Sequence, residues 1–545
     1  MNTIPPGLFF ILVINASVVA CSEQTTHTPL SDTGTVTNSA QLVRLATLPL
    51  GAELTGLFVN TPGDLFFNVQ HPSRDNPPPF DRAAIGVVDN LNIHSLLKPI
   101  EPVSLPKRNE DQKRVRLAVG DYRVLANGGD VIANSTPLGF MYSTKGNALT
   151  DGSRPDFNAF IPIPKSSNQG MLFTAWESKP GTMSRLSLSK DDKDLWQATA
   201  ASAIDFRSVQ GTWTNCFGTL SPWGTPLTSE ELYFDNTANW HNLAYKYLAG
   251  VKDMKSYLGF YPNPYRYGYI VEITKPLSAK PQPVKLFALG RFSHENAVVM
   301  PDLKTVYLSD DGDATVFFKF IAEVPGDLTR GSLYAAKLTQ DRNDKGALKK
   351  DPATTGFDLT WIFLASGNNK EIEQWISDYD NTDAYISDED IRNWSGGKAR
   401  DNRAAFLESR KAARAKGASA EFRKLEGINI NFEEAKSGTH PFLYLAVSNI
   451  DKTMADNEGD IQLSENPCGG VYRFKLSRDY NVSRMEPVLI GGPYKDNVST
   501  YRCDADNIAN PDNLLVLSAG RLLVGEDASA KNHLNNMLWL YSPVQ

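Results

Sequence analysis

The chain has 545 residues, with 55 Lys and Arg against 62 Asp and Glu, giving a formal net charge of −7. A composition 41% hydrophobic and 10% aromatic supports a sizeable core and excludes disorder over most of the chain. The mild acid excess, without long basic runs, excludes nucleic acid as a structural partner.

Gly7 to Ala20 is an apolar stretch too short to span a bilayer comfortably, and it ends Val18-Val19-Ala20-Cys21. Small residues just before a Cys are the form of a bacterial lipoprotein signal. Residues 1–20 then read as the signal peptide, Cys21 as the acylated first residue and 21–42 as a polar flexible tether. No Lys or Arg precedes the apolar stretch, so an ordinary cleaved secretory signal is the other reading. Both export the chain. The lipoprotein reading places it in the periplasm or outer membrane of a bacterium, touching membrane only through the lipid on Cys21.

Residues 43–545 are expected to form one all-β domain. Short runs rich in Val, Tyr, Phe and Leu alternate with Gly, Asp and Asn turns: Leu65 to Gln70, Tyr267 to Ile273, Thr305 to Ser309, Thr315 to Ala322, Phe442 to Ser448, Gly470 to Leu476, Leu514 to Leu517, Arg521 to Gly525 and Met537 to Tyr541. A loose echo, strand, Gly turn, strand, links Leu57–Asn68 with Leu515–Gly525, which is how a β-propeller reads and also what an antiparallel sandwich can produce. One stretch, near 385–425, breaks the pattern. Ser387 followed by Asp388, Glu389 and Asp390 is a helix start, and Asp401 to Lys416 strings together good helix formers.

Acidic residues gather at strand ends: Glu230 and Glu231, Asp310 and Asp311, Asp512, then Glu526 and Asp527. Carboxylates brought together at one face repel unless cations lie between them, and oxygen ligands suit Ca²⁺. The alternative is that Asp-Gly turns simply favour Asp. Three cysteines follow Cys21, so at least one is unpaired, and spacing does not say which. Cys468 with Cys503 is the expected pair, because Cys216 sits in a different setting, Thr214-Asn215-Cys216-Phe217-Gly218. As a thiolate Cys216 suits a borderline metal such as iron; buried and free it is inert. There is no HExxH, no GxSxG and no glycine-rich phosphate loop with a Lys.

Several strings together resemble the PhoX-type bacterial alkaline phosphatases, in family order from about residue 44 onward. They are Asn215-Cys216 with Pro222-Trp223-Gly224-Thr225 and Glu230-Glu231, Pro264-Tyr265-Arg266-Tyr267-Gly268-Tyr269, Gly290-Arg291-Phe292-Ser293-His294-Glu295, Tyr307-Leu308-Ser309-Asp310-Asp311, Pro511-Asp512-Asn513-Leu514 and Gly525-Glu526-Asp527. The resemblance implies a six-bladed β-propeller with long loop insertions, whose channel holds calcium and Fe³⁺, acting on small phosphate monoesters as a monomer. It implies Cys216, Glu230, Glu231, Glu295, Glu426, Asp512, Asp310, Asp311, Glu526 and Asp527 as metal ligands, and Lys424, Arg423 and Asn215 as catalytic groups. Lys424 stands where the family has Arg, supplying charge to a phosphate without the bidentate fork. The string Leu65 to Pro72 resembles one from the family's closing blade, which implies that an N-terminal strand completes the last blade. Two rival readings remain open at this point: a surface-tethered propeller that binds without catalysis, its calcium structural, and a calcium-dependent propeller lactonase.

Overall fold

A computed structural model describes residues 40–96, 100–234 and 236–544. The signal segment, Cys21 and most of the tether lie outside the described residues. The first strand, Gln41–Thr47, begins two residues before the expected domain boundary.

The protein is all-β and propeller-like. Four-stranded antiparallel units recur along the chain, the first ordered Glu53–Val59, Leu65–Gln70, Ala84–Asp89, Asp121–Asn127. Two more such sheets start at Pro155–Pro162 and Asn215–Leu220. A nine-stranded sheet starts at one edge with His294–Val299 and at the other with Leu425–Ile430. Its halves join where the long strand Phe357–Asn368 pairs with Arg484–Ile490 for only two residues. The last sheet starts at Pro511–Val516.

The starting strands form a ring. Glu53–Val59 packs on Pro155–Pro162, that strand on Asn215–Leu220, and so on through His294–Val299, Leu425–Ile430 and Pro511–Val516, which returns to Glu53–Val59. The N-terminal strand Gln41–Thr47 pairs antiparallel with Met537–Ser542, joining the two ends of the chain in one sheet. Leu45, Leu54, Leu523 and Leu538 share one core cluster across this seam, at about 1.5–3 kcal/mol per buried side chain. The closure is therefore made by residues 41–47. The Leu65–Pro72 string, expected there, belongs to the neighbouring sheet.

The helical excursion forms as Asp388–Ser395, Arg403–Leu407 and Ser409–Ala415. Ser387 caps the first through a reciprocal capping box with Asp390. Ile391, Trp394, Phe406 and Ala412 pack into the same core as Phe292, Leu308 and Phe318, so this layer roofs one side of the ring. The helix Leu248–Leu258, not foreseen in the sequence, packs Val251, Met254 and Tyr257 against Trp213 and Trp240. Strand Ile270–Thr274 starts later than the Tyr267 run, and Phe318–Val324 replaces the expected Thr315–Ala322. Among the described residues no helix is long and apolar enough to cross a membrane.

Candidate metal centre

Each starting strand carries a metal-capable side chain at its first or second position: Glu53, Asp156, Cys216, Glu295, Glu426 and Asp512. In every case the pairing register to the next strand slips at that residue or within two residues after it, at Thr55/Phe58, Pro155/Asn158, Cys216/Gly218, His294/Ala297, Leu425/Ile428 and Pro511/Leu514. Such irregularities bend a strand and re-aim a side chain. A second layer comes from the residue just after the second strand of a unit: His71, Glu177, Glu231, Asp311 and Asp527.

These positions converge. Cys216, Glu231 and Glu295 place ligand atoms within 4.8 Å of one another, as do Glu295, Glu426 and Asp512, and as do Glu53, Asp512 and Asp527. Glu295 and Asp512 are shared, so the three groups form one chain of ligands. The Cys216 sulfur lies 3.0 Å from Asp156 Oδ2 and 3.2 Å from Glu295 Oε2. Gln70 donates to Glu53 at 2.9 Å and to Glu177 at 3.1 Å. The Tyr233 hydroxyl bridges Glu231 and Asp311. Gly427 explains how Glu426 reaches Asp512: a Cβ there would lie 2.6 Å from the Asp512 carbonyl oxygen, so only glycine permits this backbone approach.

The electrostatics are those of a site built for cations. Burial, then mutual repulsion, pushes the carboxyls of Asp156, Glu231, Glu295 and Asp512 well above the usual range. Burial and Asp527 raise Glu53 to about 7, and burial and Asp311 raise Glu426 to about 8. Burial and the neighbouring carboxylates hold the Cys216 thiol protonated, so a cation binding there displaces that proton. Glu295 Oε1 is buried with no hydrogen-bond partner. The donor set fits the metals the sequence suggested: thiolate with two carboxylates for a borderline ion, all-oxygen triads for hard ones.

Cations already present sit at the rim. Lys424 Nζ lies 2.8 Å from Glu426, 3.9 Å from Asp311 and 4.0 Å from Asp527. Burial works against its charge, but these carboxylates raise its pKa well above the ordinary value. Lys424 has φ 52°, a strained left-handed conformation for a non-glycine residue, held by hydrogen bonds to Gly312 and Ser448. His71 lies 3.1 Å from Glu53; burial disfavours its charge, yet the bond to Glu53 prevails and lifts it to about 9.

Five of the expected site residues lie elsewhere. Glu230 ends its strand turned away from the cluster, where it accepts from Lys285 at 2.8 Å and from the backbone of Trp213, Gly268 and Tyr269. Glu526 accepts from Ala509 N, Met537 N, Trp539 Nε1 and His533. Asp310 is bound by Arg410 and Val316 N. Successive strand residues point to opposite sides, so only the second acid of each pair faces the cluster. Arg423 likewise turns away, to Asp313 at 2.6 Å and Asp451 at 3.3 Å. Asn215 is fully buried with neither amide atom partnered, wedged against Gly181, where a Cβ would approach its Oδ1 to 1.8 Å. Cys468 and Cys503 form a disulfide, and Cys216 is free and buried.

Sequence reasoning missed Glu53, Asp156, Glu177, Tyr233 and His71. Each is isolated in the sequence, without the doubled acid that marked Glu231, Asp311 and Asp527. The rule that exposes Glu53 and Asp156, a ligand at the start of every innermost strand, needs the blade boundaries first.

A ring of strands converging on buried carboxylates and one thiol defines an all-β, propeller-like protein of the metal-dependent class. Residues 181–539 match the family Alkaline phosphatase PhoX, and the chain belongs to that family of phosphoric monoester hydrolases. The structure of Pseudomonas fluorescens PhoX in complex with vanadate, a transition state analogue, matches over 72% of this chain and 80% of its own, with a TM-score of 0.51 and 19% identity. A glucose dehydrogenase (92% of this chain, 99% of its own, TM-score 0.37, 9% identity) and a luciferin-regenerating enzyme (92% and 95%, 0.36, 10%) are more distant in shape. No curated protein matches the chain.

Proposed function

We propose that this protein is an exported phosphomonoesterase that hydrolyses small phosphate esters at a calcium and iron cluster in the channel of a six-bladed propeller. The observation that carries the reading is the convergence of five strand starts on three linked ligand groups, with the sixth, Asp156, 3.0 Å from the Cys216 sulfur. Cys216, Glu231 and Glu295 would hold the iron; the two all-oxygen groups would hold calcium. Bound cations supply charge neutralisation and Lewis acidity to a phosphoryl group.

The chain's own residues do the rest. Lys424, fixed by its strained backbone, holds a positive charge at the rim, where a phosphate dianion meets it without bidentate geometry. Tyr233 stays protonated because burial, Asp311 and Glu231 raise its pKa, so its hydroxyl keeps the two carboxylates aligned. No serine nucleophile is required, in keeping with the absent GxSxG.

Export through the N-terminal signal and anchoring through Cys21 complete the proposal, with the protein monomeric in the periplasm or outer membrane. The Cys468–Cys503 disulfide suits an oxidising compartment. The test is Cys216→Ala, followed by elemental analysis and p-nitrophenyl phosphate hydrolysis. Loss of iron together with activity is expected; full activity without iron would overturn the reading.

A further inference from the structure

Beside the cluster lies a cavity of ≈ 310 Å³ that the phosphoryl chemistry does not use. It backs onto the metal centre: Ser293 precedes His294 and Glu295, its carbonyl accepts from Asp311 N at 2.8 Å, and Leu232 lies between Glu231 and Tyr233. The roof is the helix Ser409–Ala415, which brings Arg410, Lys411 and Arg414 to the same cavity, with Arg291 from the wall.

Two polar groups there lack partners. Ser293 Oγ is fully buried and has no hydrogen bond, and Arg291, only 5% exposed, leaves Nη2 unpartnered although its other nitrogens bind Tyr267, Thr237 and Leu407. Both residues line the cavity, and a guanidinium nitrogen and a hydroxyl buried without a partner are costly unless a small rearrangement lets a ligand accept from them. Among the described residues the cavity's two carboxylates are both hydrogen-bonded. Glu408 accepts from Thr237 and from Tyr265, and Asp313 pairs with Arg423 and Lys452. Arg410 is committed to Asp310, and Lys411 to Asp388. Glu408 is met only by neutral hydroxyls and so offsets Arg291 through Thr237, and among the described residues the positive charge left over is that of Arg414, beside an apolar wall of Leu232, Phe234 and Phe292.

We infer that this cavity is a subsite for a second anionic group on the leaving part of the substrate, so that the enzyme prefers phosphate esters carrying another phosphate. The inference rests on the phosphatase reading and names its substrate class. A phosphate placed there meets Arg414 at the open side and accepts from Arg291 and Ser293 once their buried donors turn into the cavity, while the phosphoryl group undergoing hydrolysis lies at the metal centre.

The test compares fructose 1,6-bisphosphate with fructose 6-phosphate on the full-length metal-loaded enzyme and on its Arg414→Glu variant, a change at an exposed position that leaves the core intact. The wild type is expected to favour the bisphosphate at least ~10-fold in kcat/KM, and the variant to lose that preference ~10-fold, through KM. Equal use of the two esters by the wild type, or an unchanged preference in the variant, overturns the subsite. If neither ester is hydrolysed, the phosphatase reading is what fails. Calorimetric binding of fructose 1,6-bisphosphate to the same two proteins then decides the subsite: weakening of at least ~5-fold in the variant supports it, and equal binding overturns it.

Discussion

Glu230 and Glu231 are neighbours in the chain and equally buried, yet they do opposite things. Glu230 is a staple: every lone pair is met by a backbone N–H or by Lys285, and its charge is compensated within the blade. Glu231 faces Glu295, Cys216 and Asp311, and among the described residues no cation forms an ion pair with it. Asp310 with Asp311, and Glu526 with Asp527, repeat the contrast at the ends of two other second strands. The lesson is that an acidic pair at a strand end is two devices, one holding the blade and one facing the centre, separated by the alternation of the strand.

The contrast breaks most visibly under substitution. Glu295→Gln, which removes a ligand shared by two groups, is expected to lower phosphomonoesterase kcat/KM by at least ~10³ while the metal-free protein melts no lower than wild type. Glu230→Gln should do the reverse, destabilising the fold by about 3–5 kcal/mol because Lys285 is left buried and unpaired. Denaturant unfolding and steady-state kinetics on both variants check the pair; matching profiles would erase the distinction.

Lys424 and Arg423 sharpen it on the cationic side. Lys424→Ala is expected to cost roughly 10²-fold in kcat/KM, since its charge lies against Glu426 at the rim of the cluster. Arg423→Ala, whose partners are Asp313 and Asp451, should change kcat/KM by less than about twofold.

A further effect appears in the pH dependence of the metal-free protein. Glu53 and Glu426 bind protons more tightly folded than unfolded, with values of about 7 and about 8 against an ordinary 4.5. Their contribution to stability is complete below pH 4.5 and is lost as the pH rises through 7 and 8. Metal-free protein should therefore lose roughly 6 kcal/mol of unfolding free energy from these two groups between pH 5 and pH 8, at about 1.4 kcal/mol per pH unit for each while it titrates, and metal should abolish the loss. A stability that rises over this range without metal would contradict the buried-carboxylate account.

Much of the fold could be read in advance because strand alternation and Gly turns are local signals. Leu65 to Gln70 and Met537 to Tyr541 form strands as their patterns predict, and Ser387 starts its helix with the capping residues in view. The helix Leu248–Leu258 escaped because its apolar residues meet Trp213 and Trp240, far away in sequence. The site was half visible for a related reason. Doubled acids and the lone Cys216 stand out in a one-dimensional string, whereas Asp156 and Glu53 come to face the centre only when the ring brings strand starts together. Which acid of a pair faces inward depends on where the strand ends, and a one-residue shift exchanges the roles of Glu230 and Glu231.

The most direct measurement is anomalous X-ray diffraction above the iron edge on crystals of the active, full-length protein. A scatterer within coordination distance of the Cys216 sulfur and the carboxylates of Glu231 and Glu295 is the predicted result. An active enzyme whose crystals place no metal among those three side chains would contradict the account.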